Sequence, residues 1–120
     1  MKPRVLIIDD EILIGRMVQR TLRDADVTVM TSARAAFELL MSPARFDLVL
    51  CDLMMPDMTG IELHAVVQRE APELLDHMYF MTGGAFTARA QTFLEAIGNA
   101  RLDKPLGSAA LRALLAKHAG

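Results

Sequence analysis

Short apolar runs alternate with longer amphipathic stretches along this chain. Val5, Leu6, Ile7 and Ile8 form a largely β-branched run that stops at Asp9 and Asp10. That is the pattern of a strand buried on both faces. From Glu11, apolar positions fall at Ile14, Val18, Leu22 and Ala25, with Arg16, Gln19, Arg20 and Arg23 between them. This spacing predicts a helix with one apolar stripe. Val27 and Val29 alternate with Thr28, as on a half-buried edge strand. Ser32 can cap a helix carrying Ala36, Phe37, Leu39 and Leu40, and Pro43 lies beyond its end.

The pattern then repeats. Leu48, Val49, Leu50 and Cys51 make a second buried strand, which ends at Asp52. Residues 53–59 read as a loop containing Pro56. Gly60 leads into a helix with Ile61, Leu63, Val66 and Val67, stopped by Pro72. Met78, Tyr79, Phe80 and Met81 form an apolar strand ending at Thr82 and a Gly83-Gly84 loop. Phe86, Ala90, Phe93, Leu94 and Ile97 mark another amphipathic helix. A short strand over 100–103 runs into Lys104-Pro105. The last helix carries Leu111, Leu114 and Leu115, with Ser108 as its expected N-cap. Strands and helices in strict alternation predict an α/β fold: a doubly wound, five-stranded parallel sheet with five helices on its two faces.

The chain has 120 residues, a formal net charge of -2, 52% hydrophobic and 23% charged residues. That length predicts one domain over residues 1–120, and the composition is that of an ordinary folded chain. The absence of a basic excess argues against binding to a nucleic-acid backbone. One cysteine, Cys51, excludes an internal disulfide framework and a cysteine-based zinc site. No apolar run approaches the ~20 residues of a membrane helix. The N-terminal apolar run is too short for a signal peptide, so a cytoplasmic location is expected.

Candidate chemistry sits where the strands end. In open parallel sheets, functional groups collect at the carboxyl ends of strands. Here the first strand ends in Asp9 and Asp10, the third in Asp52, the fourth in Thr82 and the fifth in Lys104. Two carboxylates about 4 Å apart repel by about 4 kcal/mol at an effective dielectric of about 20. Three need a counter-charge, and Lys104 supplies only one. A divalent cation supplies the rest, and an all-oxygen donor set without histidine or thiol favours Mg²⁺. A metal, a carboxylate nucleophile, a hydroxyl and an ammonium together suit transfer of a phosphoryl group to Asp52.

With these positions in view, the sequence resembles the receiver domains of bacterial two-component response regulators. The matching motifs are Asp9-Asp10-Glu11, Asp52-Leu53-Met54-Met55-Pro56-Asp57-Met58-Thr59-Gly60, Thr82-Gly83 and Lys104-Pro105, in order and over essentially the whole chain. The resemblance implies a flavodoxin-like sheet order of 2-1-3-4-5 and Asp52 as the phosphoacceptor. It implies that Asp10 binds Mg²⁺ directly, Asp9 mainly through water, and Met54 through its backbone carbonyl. Thr82 and the Gly83 amide are implied to bind phosphoryl oxygens, and Lys104 to pair with the phosphoryl group across a cis Lys104-Pro105 bond. Receivers usually carry an aromatic switch residue three positions before this lysine. Arg101 stands there instead, so the switch expected from Thr82 and Arg101 differs from the common one. Arg101 and the Thr-Gly-Gly-Ala-Phe run from Thr82 are similar to receivers attached to hybrid sensor kinases.

The implied function is a phosphorelay receiver, with no separate substrate turnover. Its donor is a histidine kinase or histidine phosphotransfer protein, expected to contact the rim and the first helix at Leu13, Gly15 and Met17. An output partner or dimer is expected on the face of the fourth helix, fifth strand and fifth helix. Two alternatives use the same fold. A Mg²⁺-dependent aspartyl-phosphate phosphohydrolase normally places its nucleophile in an Asp-x-Asp pattern after the first strand and adds a cap domain. A flavin- or nucleotide-binding module needs a Gly/Ser/Thr-rich phosphate loop where Asp9-Asp10-Glu11 stands. Taken singly, Asp9 and Asp10 are ordinary helix-start acids and Asp57 a loop residue. His64, His77 and His118 show no metal-ligand spacing, and Cys51 reads as a core thiol.

Overall fold

A computed structural model describes residues 2–84 and 87–119, with Asn99 described in its backbone only. Five strands alternate with five helices: β1 (Arg4–Ile8), α1 (Ile12–Thr21), β2 (Asp26–Met30), α2 (Ala33–Leu40), β3 (Leu48–Asp52), α3 (Gly60–Glu70), β4 (Met78–Thr82), α4 (Ala88–Ile97), β5 (Arg101–Asp103) and α5 (Ser108–His118). The strands form one sheet in the order β2-β1-β3-β4-β5, and every pairing is parallel.

The apolar runs dictate this layering. Val5 and Ile7 face one side of β1, packing with Val18 of α1, with Leu22 just past its end, and with Leu111 of α5. Leu6 and Ile8 face the other side, toward Ala36 and Leu40 of α2 and Leu63 and Val67 of α3. Both faces of β1, β3 and β4 are therefore covered, which is why their sequences are continuously apolar. β2 lies at an edge and is only half-buried along Val27–Met30, matching its alternating sequence.

Register is what gathers the polar ends. Ile8 pairs with Cys51, so Asp9 and Asp52 leave neighbouring strands at the same level. Asp52 pairs with Met81, and Thr82 with Asp103. Lys104 follows directly and donates its amide to the Thr82 carbonyl at 2.7 Å.

Several boundaries differ from expectation. α1 ends at Thr21, although Leu22 and Ala25 beyond it are still buried. A 3-10 turn, Gly98–Ala100, takes Ala100 out of β5, while another, Pro72–His77, fills the stretch between α3 and β4. Gly107, not Ser108, occupies the N-cap of α5, and no side chain caps that end. The seryl cap on α2 does form, with Ser32 accepting from the Ala35 amide. Phe86, expected to begin the fourth helix, lies outside the described residues.

Gly15 is buried, which removes it from the exposed face of α1 expected to meet a phosphodonor; Met17 is half-buried and Leu13 is exposed. A Cβ at position 15 would stand 2.4 Å from Val29 Cγ1, so glycine lets α1 lie close against β2. Gly15→Ala should therefore cost about 1–3 kcal/mol, despite alanine's higher helix propensity. Urea unfolding of Gly15→Ala, Val29→Ala and the double variant should show the double loss falling below the sum of the singles.

Candidate functional site

Asp9, Asp52 and Thr82 are the buried polar residues among the described residues, and all three lie at the carboxyl edge of the sheet. Burial of ionised groups in such numbers requires partners. Asp9 is fully buried. Its backbone amide donates to the Met30 carbonyl at 3.0 Å, which ties it to the end of β2. Its carboxylate accepts from the Glu11 amide at 2.9 Å and from Lys104 Nζ at 2.9 Å.

Lys104 joins the two strand ends. Its Nζ lies 2.9 Å from Asp9 Oδ2 and 3.4 Å from Asp52 Oδ1. The Lys104-Pro105 bond is cis. Gly83 permits the chain of β4 to pass close by, since a Cβ there would stand 3.0 Å from Lys104 Cβ. Burial disfavours the Lys104 ammonium, but the hydrogen bond to Asp9 and the charges of Asp52 and Asp9 outweigh it and raise its pKa. It therefore stays charged.

Asp52 is pushed the other way. Burial, then the charge of Asp9, raises its pKa from 3.8 to about 6, against opposition from Lys104 and from the Met54 amide, which donates to its carboxylate. One ammonium does not neutralise this cluster. Asp10 stands exposed at its open side, and Asp9, Asp10 and Asp52 each offer an oxygen within 4.8 Å of one another. Three hard anionic oxygens and no nitrogen or sulfur donor fit a Mg²⁺ ion.

The loop after Asp52 is firmly anchored. Leu53 donates its amide to Met81 at 2.9 Å and accepts from the Gly60 amide at 2.8 Å. A Cβ at Gly60 would stand 2.9 Å from Leu53 Cα and 3.0 Å from the Asp52 carbonyl oxygen, so glycine allows this contact. Thr59 and Glu62 form a reciprocal capping box at the start of α3. Met55 is buried, whereas Met54 is 50% exposed.

Every residue singled out at the strand ends thus sits on one rim. Arg101 lies lower on β5, opposite Phe80, with its Nε 3.0 Å from Asp103 Oδ1. Cys51 is buried among apolar groups. Burial, helped by the charges of Asp52 and Asp9, pushes its thiol pKa far up and keeps it protonated. Two features escaped the sequence pattern. Asp57 is hydrogen-bonded to the start of α2 rather than free in its loop. His77 and His118, remote in sequence, meet as tilted rings with centroids 5.3 Å apart, and His118 Nε2 lies 2.6 Å from the Tyr79 hydroxyl. No periodicity signals either, because both depend on segments remote in sequence meeting across the fold.

A parallel sheet of order 2-1-3-4-5 with charged groups converging at its carboxyl edge defines the class of open α/β domains that work from that edge. The sequence profile of the response regulator receiver domain matches residues 5–116, and the chain belongs to that family of signalling domains. It is 32% identical over 117 residues to the aerobic respiration control sensor protein ArcB of Escherichia coli, covering 94% of this chain and 15% of that protein. Transcription factor SKN7 of Chaetomium thermophilum is 28% identical over 120 residues, with 98% of this chain and 15% of that protein covered. The chain thus spans about 15% of the length of these curated relatives. Among solved structures, chemotaxis protein CheY4 of Vibrio cholerae aligns at a TM-score of 0.74 and 27% identity, covering 98% of this chain and 99% of that one. A response regulator receiver domain protein from Clostridium thermocellum aligns at 0.78 and 21% identity, over 97% and 93% of the two chains, and shares the fold. No helix among the described residues is long and apolar enough to cross a membrane.

The elevated Asp52 pKa fixes a sign. The folded chain holds a proton on Asp52 between about pH 4 and pH 6, where the unfolded chain has released it. In chelator-containing buffer, stability should therefore fall as pH rises through that window, by on the order of 1–3 kcal/mol for this group. Urea unfolding of wild type and Asp52→Asn across pH 4–7 should show that slope in the first and its loss in the second.

Proposed function

We propose that this chain is a phosphoacceptor receiver that takes a phosphoryl group from a phosphohistidine onto Asp52. The observation that carries this reading is the Lys104 ammonium held between the Asp9 and Asp52 carboxylates, with an Asp10 oxygen in the same cluster. A carboxylate oxygen of Asp52 attacks phosphorus, the O–P bond forms and the P–N bond breaks. The electron pair of that bond stays on the departing imidazole, which takes a proton from solvent. An acyl phosphate remains on Asp52.

Lys104 already stands 3.4 Å from the Asp52 carboxylate, so a short side-chain movement brings its ammonium to a phosphoryl oxygen. The Thr82 hydroxyl and the Gly83 amide donate to the other oxygens. Asp9, Asp10, Asp52 and the Met54 carbonyl would hold Mg²⁺, with Asp9 acting through water. When bound, that ion supplies positive charge against the phosphoryl oxygens. Charge-assisted hydrogen bonds of this kind contribute to the ~5.5 kcal/mol needed to move a two-state equilibrium from 1:99 to 99:1. Thr82 and Arg101 form the switch, with Arg101 exchanging its contact to Asp103 as Thr82 moves.

The donor is a histidine kinase or histidine phosphotransfer protein. Exposed Ile12 and Leu13 on α1, together with Met54, make an apolar border beside the acids. Arg16, Arg20 and Arg23 continue along the exposed side of the same helix and its C-terminal turn. The α4-β5-α5 face carries output or self-association.

Incubation with acetyl phosphate and Mg²⁺ should label wild type with one hydroxylamine-labile phosphoryl group. Asp52→Asn and added chelator should each abolish labelling, and Lys104→Met should slow it at least tenfold. Persistent labelling of Asp52→Asn would overturn the reading.

A further inference from the structure

Asp57 is exposed, yet its carboxylate ties the loop that follows Asp52 to a second element of the fold. Its Oδ2 accepts from Ser32 Oγ at 2.7 Å and from the Arg34 amide at 3.2 Å. Ser32 is the N-cap of α2 and accepts in turn from the Ala35 amide at 3.2 Å. The carboxylate thus joins the loop to the amino end of a helix that has no acidic residue of its own in its first turn. Negative charge is favoured there, and the Ser32 hydroxyl, followed by the Arg34 amide, holds the Asp57 pKa below the usual carboxylate range.

The position of this bond gives it consequences. Met30, two residues before Ser32, accepts the Asp9 amide at 3.0 Å. The segment between β2 and α2 therefore touches the strand end of Asp9 on one side and the loop of Asp52 on the other. On its inner side that loop is held by Leu53, Met55 and Gly60. Met54 is half-exposed between the buried Leu53 and Met55, three residues before Asp57. Its amide orients the Asp52 carboxylate.

We propose that Asp57 is a positioning residue, a latch between the Asp52 loop and the α2 N-terminus that fixes the main chain at Met54 and, through the Met54 amide, the Asp52 carboxylate. Where this concerns Mg²⁺, it rests on the phosphoacceptor reading above. Without the latch, residues 54–58 are held only by the Leu53–Gly60 hydrogen bond at the ends of the loop and by the buried Met55 side chain. Met54 then samples conformations in which neither its amide nor its carbonyl serves the site.

Two measurements on the intact chain test this. Calorimetric titration of the unphosphorylated protein with MgCl₂ reads the metal site without any reaction. Initial labelling rates with acetyl phosphate, at varied Mg²⁺, separate the apparent Mg²⁺ constant from the maximal rate. Asp57→Ala should weaken Mg²⁺ binding about three- to tenfold and raise the apparent constant equally, while its thermal midpoint falls by no more than about 4 °C. Asp57→Asn keeps an acceptor oxygen and should return to within about twofold of wild type. Ser32→Ala, which removes the other half of the latch, should weaken Mg²⁺ comparably. Wild-type Mg²⁺ affinity in Asp57→Ala, or an Asp57→Asn variant as impaired as Asp57→Ala, would overturn the latch. A wild-type chain that takes up neither Mg²⁺ nor label would instead overturn the phosphoacceptor reading, and the latch's role toward the metal with it.

Discussion

An ammonium between two buried carboxylates is the interaction on which this site depends. Asp9 has no access to solvent, and Asp52 very little. Two such groups at neighbouring strand ends repel, and removal from water costs each of them further. Lys104, reaching both from the far side of β4, makes the arrangement tenable. It does so incompletely. The pKa of Asp52 remains well above that of a free aspartate, so excess negative charge persists at the rim. A site left with that imbalance favours a divalent cation and a ligand able to share the lysine.

The fold delivers this arrangement by register. Parallel strands cross the core in one direction, so all five release their chain at the same edge. Side chains far apart in sequence meet there without any long loop having to be ordered. The interior stays wholly apolar, and the polar residues begin at the level where β1, β3 and β4 leave it. Backbone hydrogen bonds between strand ends and loops, from Asp9 to Met30 and from Lys104 to Thr82, extend the rigidity of the sheet one residue beyond its ladder.

The opposite edge shows the same physics without the same chemistry. The Asp47 carbonyl can only accept, so His77 Nδ1 carries the proton and donates to it at 3.0 Å. His118 meets Tyr79, and burial, followed by the charge of His77, lowers its pKa. These rings tie the 3-10 turn and the end of α5 to β4. Among the described residues they bring no third ligand into reach of a metal, so their contribution is to packing and orientation.

Most of the fold was legible in the amino-acid pattern, because a strand buried on both faces must be apolar throughout and an amphipathic helix must repeat about every 3.6 residues. Strand order was not contained in that pattern; it came from the resemblance. The strand-end positions of Asp9, Asp10, Asp52 and Thr82 were legible too, since they close or follow apolar runs, and Lys104 was legible from its place before Pro105 at the end of a short strand. Local signals failed at two boundaries: Gly107 displaced Ser108 at the start of α5, and a 3-10 turn took Ala100 from β5. Only the tertiary structure decided that Gly15 is buried against Val29, that Lys104 bonds Asp9 more closely than Asp52, and that Asp57 clasps the start of α2. Those outcomes depend on distances between loops and helices set by packing, and hydrophobic periodicity carries no information about such distances.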